Sequence, residues 1–328
     1  MKKLLTIDLR MFDGIPNTQT TGADTLSVEM KTYYSDYLID NAAPNLVHDQ
    51  FGQKHPIPKN GGKTIEFRKF LPFSKATTPL KEGVTPDGGS LSVTNVTATV
   101  EQYGFYVTMS DVLMLTAIDN TLLETTKLLG SQAGSTLDTV TREVLNGGTS
   151  VMFAGGKEAR EALDSNCKLT VDDVYRAARF LKTQNAPKIN GSYVAIIHPD
   201  VAYDLMRDEE WIDVHKYSAT NEIFEGEIGK IAGVRFVETT EAKIFAGEGA
   251  SDRDVYSTLV LGANAYGVTE VTGGGLQHIV KQLGSGGTAD PLNQRATAGW
   301  KGTKTAERLV ENYMIRIESA SSFESGEN

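Results

Sequence analysis

The sequence predicts an α+β fold carrying extensions that one compact domain would not need. Three observations predict it. Strand-type alternation fills the early and late parts of the chain, a long helix-period run lies between them, and residues 165 to 240 alternate helix and strand patterns.

Residues 1 to about 24 are rich in Thr, Gly and Asn without sustained periodicity, and read as an arm that gains order only against something else. Leu26, Met30, Tyr33 and Tyr37 then fall at helical spacing, with Asp24 or Thr25 as cap and Pro44 beyond the end. Core packing explains that stripe more simply than a partner-binding face. From Lys63 to Phe70, Ile65 and Phe67 alternate with Glu66 and Arg68, which is a strand. A second extended region runs from Leu91 to Met109, rich in Thr and β-branched residues. Between them Leu71 to Ser90 is broken by Pro72, Pro79, Pro86 and Asp87-Gly88-Gly89. So long a connection is uncommon in a compact domain and predicts a loop that projects.

Leu122, Thr126, Leu129, Ala133, Leu137, Val140 and Val144 alternate spacings of four and three, marking a helix over roughly 120 to 145 that Asn146-Gly147-Gly148 stops. At 1.5 Å per residue it is a rod of about 39 Å. Gly130 and Gly134 lie inside it and weaken it, which points to close approach of another backbone. Thr170-Val171-Asp172-Asp173 reads as a capping box opening a helix with Val171, Val174, Ala178 and Leu181 on its buried face. Tyr193 to Ile197 is a continuous apolar run, hence a strand covered on both faces. Pro199 suits a first helical turn, Val201 and Leu205 continue that helix, and Gly233 to Glu238 is another strand. The intervening segment, with Trp211, His215, Tyr217 and Phe224, reads as a polar loop. Tyr256 to Leu261, Leu276 to Leu283 and Arg308 to Ile317 are strand-like, and the polar tail from Ser319 is expected to fray.

Composition narrows the function. With 32 Lys and Arg against 42 Asp and Glu, the net charge of −10 argues against tight contact with a phosphate backbone. The single cysteine, Cys167, excludes an internal disulfide and a thiolate zinc site. The apolar stretch before Asp8 is too short for a signal-peptide core, and no run approaches the ~20 apolar residues of a membrane span.

Tests for chemistry return little. Gly226-x-x-Gly229 and Gly284-Ser285-Gly286-Gly287 lack the spacing of a phosphate cradle. The histidines His48, His55, His198, His215 and His278 are scattered, with no metal-ligand spacing. His198-Pro199-Asp200 is better explained as helix-start chemistry than as an acid–base pair, and Cys167 reads as an inert thiol. No catalytic residue, cofactor site or metal site is expected. Arm, projecting hairpin and rod bury little of their own surface, so neighbouring copies must offset the cost of ordering them.

The run Ala76-Thr77-Thr78-Pro79-Leu80-Lys81-Glu82-Gly83-Val84-Thr85-Pro86-Asp87-Gly88-Gly89, followed by Tyr103-Gly104-Phe105-Tyr106-Val107-Thr108-Met109-Ser110-Asp111, resembles the major capsid proteins of tailed bacteriophages, in the group typified by phage N-four. Tyr193 to Leu205, Gly226 to Phe236 and Gly299-Trp300-Lys301 extend the likeness over about residues 25 to 318. The resemblance implies the Hong Kong ninety-seven-type fold. On that basis residues 1–62 would be the N-terminal arm, 63–103 the extended β-hairpin loop, 104–164 the peripheral domain with its spine helix, 165–265 the axial domain, and 266–328 the returning strands and tail. No long segment precedes the arm, so a cleaved propeptide is not expected.

It further implies a non-enzymatic shell protein that forms pentamers and hexamers, encloses double-stranded DNA without binding it specifically, and assembles in the host cytoplasm before residing in the virion. Scaffolding, portal and decoration proteins are the further partners implied. Contacts between subunits would come from Lys75, Leu80, Lys81, Glu82 and Asp87 on the extended loop and Trp211, Tyr217 and Phe224 on the axial loop. A nanocompartment shell loaded with protein cargo, or an α/β enzyme housed in 165 to 240, are the competing readings.

Overall fold

A computed structural model of the chain describes Leu38, Ala42 and residues 46–56, 63–70, 73, 75–80, 82–83, 85, 88–116, 121–212, 227–269, 276–285 and 290–326. The expected stripe from Leu26 to Tyr37 lies outside them, as do Lys81, Asp87, His215, Tyr217 and Phe224. Leu38 and Ala42, one helical turn apart, are helical and buried.

The largest body is a seven-stranded sheet ordered β5(Val151–Phe153), β15(Met314–Ser319), β10(Val255–Leu261), β6(Tyr193–Ile197), β8(Val234–Glu238), β7(Glu227–Ile231), with the short β9(Ile244–Phe245) on β10. Strand β6 is buried throughout, as its unbroken apolar run requires. Tyr193, Ala195 and Ile197 face a core shared with Val174, Ala178 and Leu181 of α3(Val171–Thr183) and Val201 and Leu205 of α4(Pro199–Met206). Ile196 faces a second core with Leu259, Leu261, Met314 and Leu145. Both helix starts follow from sequence. Thr170 and Asp173 form the reciprocal capping box, and the Asp200 amide donates to Nδ1 of His198, the cap that precedes Pro199. Burial holds the His198 imidazole below its usual pKa, which keeps Nδ1 an acceptor. Ala232 and Gly233, both at positive φ, make the two-residue turn between β7 and β8. Strand β7 occupies part of the stretch expected as polar loop, and the sheet also draws β5 and β15 from outside residues 165 to 265.

The second body is a three-stranded sheet, β12(Leu276–Lys281), β13(Arg295–Lys304), β4(Glu101–Ser110), with α1(Asp111–Thr116) following β4. One face packs on α2(Thr121–Asn146), where Leu129, Ala133 and Leu137 meet Met109, Leu276, Ala298 and Trp300. The Trp300 indole donates to Gln132 at 3.1 Å, and Gly130 and Gly134 are buried. Strand β13 is the organiser of this body, yet it was not expected: Ala296, Ala298 and Trp300 do alternate, but small residues and two glycines dilute the pattern.

The extended region from Leu91 to Met109 is two strands rather than one. β3(Val93–Thr99) pairs antiparallel with β2(Thr64–Phe70), from Thr64 opposite Thr99 to Phe70 opposite Val93, whereas β4 pairs with β13. The break falls at Val100, whose amide donates to Lys63 O at 2.8 Å. The hairpin is rooted by Phe67, fully buried, edge-on to His55 with ring centroids 4.8 Å apart. Gly267 of β11(Tyr266–Thr269) lies against the same ring; a Cβ there would stand 2.4 Å from Phe67 Cε1. Gly267→Ala is expected to cost about 1–3 kcal/mol through overpacking, read as a lowered melting temperature. β11 lies between β1(Gln53–His55) and β14(Ala306–Arg308) in a further three-stranded sheet.

A buried polar cluster sits where these bodies meet. The His48 amide donates to Asp138 Oδ1 at 2.7 Å and His48 Nδ1 lies 2.6 Å from Oδ2. Thr141 donates to Asp49 Oδ1 at 2.7 Å, Lys304 pairs with Asp49 Oδ2, and the Tyr266 hydroxyl donates to the His48 carbonyl. Burial and the nearby Asp49 and Asp138 raise the Tyr266 pKa well above its usual value, so it stays a donor.

The tail, as far as it is described, to Gly326, is held rather than frayed. Ser319, Ala320 and Ser321 are buried, and the residues beyond them are laced to aspartates of the large sheet's body. Ser321 Oγ and the Ser322 amide donate to Asp204 Oδ2 at 2.9 and 2.7 Å, and Ser322 Oγ to Oδ1 at 2.6 Å. Ser325 Oγ donates to Asp200 and the Gly326 amide to Asp254. A polar composition reads as a free end only when no acceptors await it. Burial pushes the Asp204 carboxyl up, but the serine donors and Lys168 outweigh it and hold the group below its ordinary value of 3.8. A depressed carboxylate stabilises above its unfolded value and loses that contribution as pH falls through the folded one. Carboxypeptidase trimming of residues 320 to 326 is therefore expected to stay slow down to about pH 4 and accelerate only in stronger acid.

Candidate assembly surface

Every described residue from Lys75 to Ser90 is exposed, and the loop departs from a hairpin whose own strands are paired along their length. Leu80 is 78% exposed, with Lys75 and Glu82 also in solvent and Gly83 at φ 74° forming the turn beside Glu82. Phe73, Leu91 and Val93 add exposed apolar surface. An isolated chain gains nothing by holding Phe73 and Leu80 in water. Of the residues expected on the axial loop, Trp211 is a correction. It is only 5% exposed and packs at 5.5 Å, edge-on, against Phe236, so it belongs to the core and has little surface left for a neighbour.

Two further apolar surfaces escaped the sequence reading. The outward face of β12, β13 and β4 is left uncovered by the described residues, with Tyr106 70% exposed and Ile279 lining the same face. Gly104 and Gly299 floor a groove of about 600 Å³ on this face, rimmed by Lys281 and Lys301. Side chains could not occupy that floor, since a Cβ would come within 2.8 Å of Trp300 O at Gly104 and 2.7 Å of Tyr106 Cβ at Gly299. Helix α1 carries Val112, Leu113, Met114 and Leu115, all exposed, Leu115 to 86%. Four consecutive apolar residues wrap around a helix and cannot all face one core, which was the legible signal.

Among the described residues no group of three or more His, Cys, Asp or Glu could hold a metal ion, and no helix is long and apolar enough to cross a membrane. Cys167 is buried, and burial pushes its thiol pKa up, away from reactivity.

Residues 94–306, most of the chain, match the family described as phage capsid protein. The chain belongs to this family. The phage capsid protein has the Hong Kong ninety-seven-type fold and is similar in structure to the capsid of Ralstonia phage GP4, at 15% identity and a TM-score of 0.70 over 86% of this chain and 90% of that one. It is likewise similar to the capsid of cyanophage P-SCSP1u, at 15% identity and a TM-score of 0.63 over 84% and 89%. A virus-like particle from Pyrococcus furiosus shares the fold more distantly, at 10% identity and a TM-score of 0.52 over 88% and 99%. No curated protein matches the sequence. The fold alone is common to these particles, and family membership favours the phage shell over the nanocompartment. This is a major capsid protein, a shell subunit of the virion.

Proposed function

We propose that this capsid protein assembles as pentamers and hexamers into an icosahedral head enclosing double-stranded DNA, and that it does so without catalysis. The observation that carries this reading is the loop at the end of the β2–β3 hairpin, whose described residues are all exposed and which bears Leu80 and Phe73 largely uncovered by the described residues. In this reading residues 1–62 are the arm, 63–103 the extended loop, 104–164 and the returning strands the peripheral domain, and 165–265 the axial domain. Lys75, Leu80, Lys81, Glu82 and Asp87 meet a neighbouring copy, and Tyr217 and Phe224 lie near the capsomer axis. Assembly takes place in the host cytoplasm, with scaffolding, portal and decoration proteins as further partners.

The net charge of −10 supports confinement of DNA rather than adhesion to it. Subunits of like charge repel, so apolar and hydrogen-bonded contacts must drive association, and added salt should promote it by screening. Light scattering of the purified protein is expected to rise with ionic strength. Negative-stain microscopy tests the reading directly: closed shells or capsomer rings are expected, and uniform small particles under all salt conditions would refute it.

A further inference from the structure

The buried cluster of His48, Asp49, Asp138, Thr141 and Lys304 sits at the change-over between two apolar cores on each chain segment that crosses it. On α2, Leu137 belongs to the core under the three-stranded sheet and Leu145 to the core under the seven-stranded one, with Asp138 and Thr141 between them. On the returning strands Trp300 and Ala306 divide in the same way around Lys304. In the N-terminal segment the change-over falls between Leu46, on the first core, and Val47 and Phe51, on the second, directly beside His48 and Asp49. A polar joint therefore separates the two bodies of the subunit.

We propose that His48, Asp49, Asp138 and Lys304 are positioning residues that fix the angle between these bodies, and through it the curvature of the shell. The inference rests on the reading of this chain as a self-assembling shell subunit. Apolar contact is not directional, so two greasy cores alone would tolerate small rotations of one body on the other. Hydrogen bonds are directional. Asp138 and Thr141 lie three residues apart on α2, so they share one face of the helix, and the successive residues His48 and Asp49 engage one each. Lys304 then holds the second oxygen of Asp49 from β13. The N-terminal segment is therefore bonded to both of the others, so rotating or sliding α2 or β13 against it breaks directional bonds.

Stability alone does not explain the arrangement. Removing ions from water costs about as much as their pairing returns, and well-packed apolar replacements of buried pairs are often neutral or stabilising. What the charges add is a single seating. The leverage is large, because α2 runs about 25 Å from Asp138 to its start and a rotation of about 5° at the joint would move that end by about 2 Å. In a closed shell each subunit repeats that error against its neighbours.

The test replaces the Asp49–Lys304 pair by apolar residues, as the double variant Asp49→Leu, Lys304→Met. A melting temperature at or above that of the wild type, together with shells of mixed size or open form under the microscope, is the expected result. Shells of wild-type size and uniformity from that variant would overturn the inference. Should the double variant fail to fold, Thr141→Val removes one directional bond and no charge; a broadened size distribution supports the joint as a positioning device, and an unchanged one overturns it. Lys304→Arg, which keeps the charge pair, should recover most of the uniformity. Wild-type protein that forms no shells at all would instead defeat the shell reading, and the inference with it.

Discussion

Deleting residues 74–90 is expected to leave a folded, soluble protein that no longer assembles. The described residues in this span are all exposed and belong to none of the apolar cores, so their loss takes nothing from those cores. The hairpin beneath keeps its ladder from Thr64–Thr99 to Phe70–Val93, and Phe67 keeps its seat against His55. Shortening the connection changes the loop-closure entropy only slightly, since that cost grows with the logarithm of length. Circular dichroism and the melting temperature should therefore match the intact chain. Association should not, because Leu80 and its flanking charges are the surface offered to a second copy. Sedimentation and negative-stain microscopy decide the matter, and normal shells from the deletion would make the loop ornamental.

Leu129→Asp is expected to prevent folding altogether. Leu129 is 3% exposed and lies on the face of α2 that meets Met109, Leu276 and Trp300. Losing the leucine costs about 2–5 kcal/mol in transfer and cavity terms. Placing a carboxylate in that site adds several kcal/mol more, because no cation of that core can pair with it. The sum is comparable to the whole stability of a typical domain, about 5–15 kcal/mol. Leu128→Asp provides the control, since its side chain, about 100° round the helix, is 70% exposed. It should fold and melt like the wild type. Equal behaviour of the two variants, by circular dichroism and size-exclusion chromatography, would show that α2 is not buried as described.

The elements most legible in the sequence were those whose residues announce their surroundings. The unbroken apolar run Tyr193 to Ile197 could only be a strand covered on both faces, and the capping box at Thr170 and Asp173 fixed a helix start to the residue. The long helix was readable from its spacing, though its buried face turns in the second half to include Asp138, Thr141 and Arg142. No periodicity argument places polar side chains inside, because the partners of Asp138 and Thr141, His48 and Asp49, are 90 and 92 positions away. Distance along the chain also hid the tail. Ser321, Ser322 and Ser325 look like a solvated end until Asp200 and Asp204 are brought beneath them. Strand β13 was missed for another reason: Gly299 and Gly302 are there to let a partner strand, a groove floor and the Leu137 side chain come close, and a residue chosen for what it lacks leaves no hydrophobic mark. At the candidate surface, the exposed loop followed from prolines and glycines, whereas Trp211 misled because an aromatic in a polar stretch invites a surface role that its contact with Phe236 denies it.

Strand β15 is an interior strand, hydrogen-bonded to β10 on one side and β5 on the other. Until β15 is synthesised and in place, β5 and β10 each present an open edge and the central layer stays unfinished. A prematurely terminated product would thus lack its keystone rather than a dispensable end, leaving it a substrate for proteolysis. Because the piece that closes the layer lies so far along the chain from β5, a product that stops short of it cannot finish folding, and a shell is not seeded with defective subunits.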